Sequence, residues 1–386
     1  MQIFKKPNFN FMKYKYIALG FSAVVIIIGW TNILVGKGLN QGIDFAGGTL
    51  IRVRFQDETR TADVRAALSS ANLGTPQIQA IEKDLREFQI RTLITAEGAE
   101  TQEDLEAHEK MGNLVVDALR SEEERTAAAS GLFDLNNLDE AELILLLEQQ
   151  YPDEAADMAK NIIGARVNVK MYTDFNQLKT DAGLEDEVVS YIQGKSFLSK
   201  LIVLSKETVG PQIGKELRIR ATQAAVWALI GMLIYIGLRF RFAYGVSAIL
   251  TLAHDVLFTV GIFSLTNREL NLPVIAAIMT LIGYSLNDTI VIFDRVRDNI
   301  KFLRKLKFED LLNTSINQTL GRTVITSGTT FLTVLALFLF GGSVINDFAF
   351  TIMIGVIVGT YSSIYQSCSI LFFWNKFFKP KKGMGK

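Results

Sequence analysis

The sequence predicts a polytopic α-helical membrane protein with six transmembrane helices in a one-plus-five arrangement and an α+β extracytoplasmic domain between the first and second. Three observations carry this. The 386-residue chain is 49% hydrophobic with mean hydropathy +0.24, yet 21% charged, which calls for a membrane part and a water-facing part. Six apolar stretches reach the roughly 20 residues needed to cross hydrocarbon. Lys and Arg gather in alternate connections, as the positive-inside rule requires.

The first stretch, residues 16–35, carries no charge, and no small-x-small cleavage site follows it; it reads as an uncleaved anchor. The others are 221–238, 242–266, 272–293, 323–343 and 348–374. Lys5, Lys6, Lys13 and Lys15 precede the first span, and Arg239 and Arg241 separate the second from the third. Arg295, Arg297, Lys301, Arg304, Lys305 and Lys307 separate the fourth from the fifth, and Lys376, Lys379, Lys381 and Lys382 end the chain. The opposite short turns, 267–271 and 341–347, hold only Arg268. This places both termini in the cytoplasm (1–15 and the basic tail 375–386), residues 36–220 outside, and 221–374 as a five-helix bundle in the lipid bilayer.

In the external segment, 49–55 alternates Ile51, Val53 and Phe55 against Arg52 and Arg54, the pattern of a half-buried strand. Thr61 is read as the cap of a helix with Val64, Leu68 and Ala71 on one face. Strands follow at 77–81 and 88–94. A helix over 102–120 has Leu105, His108, Gly112, Val115, Val116 and Leu119 on its apolar side, and a last strand covers 197–204. The order βαββαβ is that of a ferredoxin-like domain. An acidic helical insertion, 121–196, interrupts it, with Asp139 capping the run from Leu143 to Leu147 and 122–125 as a solvated helix end. His108 is a helix-face histidine.

The sequence excludes several functions. Zero net charge gives no footprint for nucleic acid. One cysteine, Cys368, permits no disulfide within the chain, and two histidines, His108 and His254, do not make a zinc site. The glycines of 42–48 are followed directly by no helix and so fit neither a phosphate loop nor a dinucleotide fingerprint; no cofactor or metal is expected, and they read as a tight turn or hinge.

The chemistry lies in the membrane. Asp288 sits inside the fourth span, where an ionised carboxylate costs at least ~2.5–3.5 kcal/mol. Thr280, Tyr284 and Asn287 share its stripe. On the fifth span Arg322, Thr326, Thr329, Thr330 and Thr333 fall on one face; on the third, Ser247, Thr251, His254 and Asp255 do. Hydrocarbon penalises exposed polar groups, so the three faces are expected to turn toward each other. Two plainer readings stand beside this: the hydroxyls bond their own i−4 carbonyls, and Arg322 snorkels to the surface. Burial favours a neutral Asp288 and a nearby Arg322 a charged one, so the pair is read as proton-coupling, with Asp255, His254, Asn287, Thr326 and Thr330 in support. Gly355 and Gly359 suggest close helix packing.

Five segments carry a resemblance: 42–49 (Gly-Ile-Asp-Phe-Ala-Gly-Gly-Thr), 209–214 (Val-Gly-Pro-Gln-Ile-Gly), His254-Asp255, 283–297 and 319–330. Together they resemble the SecD/SecF family of protein-export membrane subunits, on its SecF side, within the resistance-nodulation-division superfamily. The match omits 121–196. The resemblance implies a partner half, SecD, work beside the SecYEG channel on a translocating preprotein, use of the proton-motive force, and proton coupling at Asp288 and Arg322. It implies a translocase subunit and not an enzyme. Gly47, Gly48, Gly210 and Pro211, where the external domain meets the first two spans, are the candidate hinge. The alternatives are a proton-driven exporter of small molecules or lipids from the same superfamily, and an intramembrane enzyme using Asp255 and Asp288 as a carboxylate pair. Exporters carry two halves and two large external loops in one chain; this chain has one.

Overall fold

The computed structural model describes residues 7–71, 76–81, 85–92 and 112–378. The chain divides into two compact units, Phe45–Lys215 and the remainder. The described residues include six helices long and apolar enough to cross a membrane. They are Lys15–Leu34, Pro211–Arg239, Phe242–Leu265, Leu272–Phe302, Phe308–Phe340 and Gly342–Phe378, the first to sixth spans below.

The fourth and fifth spans differ most from expectation. The fourth runs past Phe293 to Phe302, and the fifth begins at Phe308 instead of Thr323. Hydropathy stops at the edge of hydrocarbon, but a helix does not. Arg297–Asp294 (3.3 Å) and Lys301–Asp298 (3.5 Å) pair at i,i+3 along the fourth span's extension. Glu309 and Asp310 occupy the fifth span's first turn, where the helix dipole favours acids. Asn299 then ties the two extensions together, donating to Ser315 (2.8 Å) and Gln318 (2.8 Å). The expected outer turn at 341–347 reduces to Gly341, because Gly342 already opens the sixth span.

Residues 40–46 are more than a linker. Asn40–Gln41 pairs in parallel with Glu269–Leu270, and Ile43–Ala46 forms a helical turn within the glycine segment, which a strand and not a helix follows, as expected. The Asp44 carboxylate accepts from the backbone N–H of Leu272 (2.8 Å), and Asn271 accepts from Val274 (3.1 Å). Both satisfy orphan donors at the start of the fourth span.

Glycine sets the closest approaches in the bundle. A Cβ at Gly29 of the first span would lie 2.5 Å from the Gly261 Cα of the third. A Cβ on Gly355 would lie 2.5 Å from the Leu281 side chain, and one on Gly359 3.3 Å from Ser285. Gly355 and Gly359 thus bring the sixth span close against the fourth, as their spacing suggested.

In the Phe45–Lys215 unit, strands β1 (Gly48–Phe55), β2 (Gln77–Ala80), β3 (Glu87–Thr92) and β4 (Leu201–Val209) form one sheet in the order β2-β3-β1-β4. β3 is antiparallel to both β1 and β2 and lies between them, so it splits a βαβ unit. Helix Thr61–Ser70 and the helical segment 112–119 supply Val64, Leu68, Val115 and Val116 to a core with Ile51, Val53, Phe88 and Ile90. Burying each large side chain contributes roughly 1.5–3 kcal/mol. Arg60, not Thr61, precedes the first helical residue, and Ala71 lies outside the helix and exposed. The last strand is β4, later than the expected 197–204. Ser196–Phe197 pairs in parallel with Phe133–Asp134 instead, and a bulge at Arg52/Val53 lets the polar run Ser205–Thr208 continue the ladder. His108 and Leu105 lie outside the described residues.

The insertion builds its own core from Leu143, Leu146, Leu147, Ile162, Leu178 and Ile192. Asp139 caps helix Glu140–Glu148 in a capping box with Glu142, as expected. The segment 122–125 is not merely solvated. Glu124 is buried, closes a capping box with Ser121, and accepts from the Lys200 N–H (2.6 Å), fastening the insertion to the start of β4.

Candidate functional site: two buried carboxylates in the membrane bundle

Asp288 falls on the inner face of the fourth span because Leu281, Ser285, Asp288 and Ile292 recur at helical spacing, and all four are buried. Its side chain is 3% exposed, and the Ser327 hydroxyl of the fifth span donates to Oδ2 (3.3 Å). Asp255, in the middle of the third span, is completely buried. It accepts from Ser285 Oγ of the fourth span and Ser362 Oγ of the sixth (2.8 Å), and its Oδ1 pairs with His254 Nδ1 (2.8 Å). One carboxylate therefore joins the fourth span to the fifth, and the other joins the third, fourth and sixth. Among the described residues no hydrogen bond links the two acids.

The expected meeting of three polar faces holds only for the third and fourth. Arg322 is exposed on the fifth span and makes no ion pair among the described residues. Thr329 and Thr333 are exposed beside it. The plainer reading is right for the hydroxyls: Thr326 donates to the Arg322 carbonyl (3.0 Å), Thr330 to Thr326 (3.0 Å) and Thr333 to Thr329 (3.0 Å). Thr251 and Thr280 do the same within their own helices. Thr280 and Asn287 lie on the outer edge of the fourth span and are exposed, so Asn287 does not support Asp288.

Several partners escaped the sequence reading. Ser285, Ser327 and Ser362 supply the hydroxyls around the two acids. Gln366 donates to Ser22 Oγ (2.8 Å), and Tyr361 to the Ala18 carbonyl (2.8 Å), joining the sixth span to the first. The signal was present as the density of Ser, Thr, Tyr and Gln over 360–369, unusual for a lipid-facing helix. At the opposite end, Arg268 pairs with Asp347 (2.5 Å) and stacks on Phe350 (4.1 Å). Asp294 pairs with Arg239 of the second span (3.2 Å) and with Arg297; Arg295 turns instead to Gln318 (2.6 Å).

Gly47 (φ +72°) and Gly48 (φ +128°) hold backbone conformations that favour glycine. Gly48 pairs with Val209, one residue before Gly210, so the two strands that enter and leave the Phe45–Lys215 unit run side by side.

The family profile described as "Protein export membrane protein SecD/SecF, C-terminal" matches residues 192–377, and the "SecD/SecF GG Motif" matches 33–58. "Protein translocase subunit SecF" of Koribacter versatilis is 38% identical over 384 residues, covering 96% of this chain and 93% of the relative. "Protein translocase subunit SecDF" of Thermus thermophilus is 51% identical over 175 residues, 45% of this chain and 24% of that one. The crystal structure of SecDF from the same organism, titled a translocon-associated membrane protein, matches with TM-score 0.66 at 31% identity. The match covers 96% of this chain and 39% of the solved one.

Proposed function

This chain belongs to the SecD/SecF family of protein-export membrane proteins, on its SecF side, and from that premise we propose that it is an accessory subunit of the Sec translocase. It works with a SecD half beside the SecYEG channel in the bacterial inner membrane and uses the proton-motive force to draw preproteins outward. The observation that carries the reading is Asp288: a carboxylate buried inside a membrane span and hydrogen-bonded to the neighbouring span at Ser327. Protonation removes its charge and with it the attraction on Arg322, so each proton loaded or released changes the force between the fourth and fifth spans. The partner half is supported by the fused SecDF relative and by the exposed face around Arg322, which hydrocarbon would penalise if left uncovered. Gly47, Gly48, Gly210 and Pro211 form the hinge through which that motion reaches the external unit.

The test is export into sealed vesicles with the gradient on and off. Asp288→Asn keeps size and hydrogen bonding and removes only the titratable charge. It is expected to assemble and to lose the gradient-driven part of export. A parent-like response to the gradient would make Asp288 structural and end the proton-coupling reading.

A further inference from the structure

His254 and Asp255 do more than a structural joint requires. Two serines already reach across from the fourth and sixth spans, and a neutral acceptor at position 255 would receive both hydroxyls without the cost of a charge in hydrocarbon. The acid is kept, and it is paired with an imidazole whose second nitrogen, Nε2, is buried and has no partner. An unmet buried nitrogen costs free energy. It is also a vacant lone pair at which a proton can land. Depth adds a direction. At 1.5 Å per residue, Asp255 lies about 15 Å from the Leu265 end of its helix, and Asp288 about 24 Å from the Leu272 end of its own. Both ends adjoin the same short connection, 266–271, which the charge pattern places outside. Asp255 is thus the more external of the two acids. Ser285 donates to it and stands three residues from Asp288 on the same buried face.

We propose that His254 and Asp255 form a second proton-holding station, external to Asp288 and in series with it through Ser285. This rests on the proton-coupling reading of Asp288. In the balanced step a proton arriving from outside binds His254 Nε2. The Nδ1 proton passes to Asp255 Oδ1, leaving a neutral acid beside a neutral imidazole of the other tautomer. Asp255 then releases its proton toward Ser285, whose hydroxyl turns to accept it and gives its own to the Asp288 side; the pair is left as carboxylate and the Nε2–H tautomer, and it resets when the imidazole exchanges tautomers, one proton leaving Nε2 as one binds Nδ1. The groups around Asp255 are few. Its own helix gives His254. The fourth span gives Ser285, with Tyr284 beside it and Asp288 a turn beyond. The sixth gives Ser362, with the Tyr361 ring 6.4 Å from the imidazole. The first span, which packs on the third, gives no acid or base at this depth; its Lys15 is held by Glu309 at the other end.

The test uses the full chain with its partner chain in sealed vesicles, measuring gradient-driven export while the pH of the compartment on the external side is varied. Asp255→Asn is expected to lose the gradient-driven increment and to keep assembly. His254→Asn retains a donor to Asp255 but takes no proton. It is expected to keep assembly, to lower the gradient-driven increment, and to move the midpoint of what remains on the external-side pH axis by about one unit, the size of a neighbouring charge effect. A merely structural role would leave that midpoint in place. If Asp288→Asn loses the gradient response and Asp255→Asn keeps it, the second station is wrong and the first reading stands. If both keep it, both fail. Should Asp255→Asn not assemble, His254→Asn decides: an unmoved midpoint overturns the proposal.

Discussion

Single residues divide here into those the backbone demands and those that chemistry demands. Gly48 belongs to the first kind: at φ +128° a Cβ is strained whatever space surrounds it. Gly48→Ala is expected to cost roughly 1–3 kcal/mol, read as a lower midpoint of thermal unfolding of the purified protein. A midpoint equal to the parent's would refute the backbone argument. Tyr172 in the Phe45–Lys215 unit is of the second kind. It is buried, its hydroxyl donates to the Ile162 carbonyl (2.7 Å), and burial pushes that hydroxyl up to about 12. The folded value stands above the unfolded value near 10. The contribution of the neutral hydroxyl is therefore complete below pH 10 and is lost as pH rises through 12. Tyr172→Phe should lower stability by about 0.5–1.5 kcal/mol at neutral pH, and should flatten the fall of the unfolding midpoint between pH 10 and 12. An unchanged slope in that window would remove Tyr172 from the alkaline transition.

At the level of elements, packing is governed by what stands opposite each glycine. Gly29 faces the backbone of Gly261, which has no side chain to move aside, whereas Gly355 faces the flexible end of Leu281. Gly29→Ala should therefore be the more damaging, at the upper end of the roughly 1–3 kcal/mol typical of overpacking. Gly355→Ala should be milder and be rescued in part by Leu281→Ala. Equal losses measured by thermal unfolding in detergent would show that the first and third spans do not approach as closely as this. The same comparison explains what was legible in the sequence. Apolar length found all six spans, and period two found β1, because both patterns are local. The helical extensions of the fourth and fifth spans were missed because their charged residues pair along the helix and Arg295 and Asn299 reach Ser315 and Gln318 across a hairpin, contacts that hydropathy does not contain. β4 was misplaced because Ser205–Thr208 is polar and is held in the sheet by its pairing with β1. At the site, Asp288 and Asp255 stood out as charges in apolar runs. Ser285, Ser327 and Ser362 did not, since a serine in a span is ordinary until a carboxylate lies across from it.

On the scale of the whole molecule, one helix face remains to be explained. The fifth span leaves Arg322, Thr329 and Thr333 exposed. The threonines satisfy their hydroxyls on their own helix, so they tolerate lipid, but a guanidinium at this depth does not. Snorkelling would carry Arg322 to the membrane surface. A partner half laid against the fifth span would instead enclose it beside Asp288. The two outcomes differ in what a bulky substitution does. Thr329→Trp, two turns from Arg322 on the same exposed face, should block a SecD-like chain from co-purifying and should leave the six spans themselves folded. A matched change on the second span, Leu233→Trp, is the control, since that helix is exposed along most of its length and shows no comparable polar stripe. Loss of the partner in Thr329→Trp alone would place the joint at the fifth span. Undiminished recovery from both variants would move the joint elsewhere and leave Arg322 to the membrane surface.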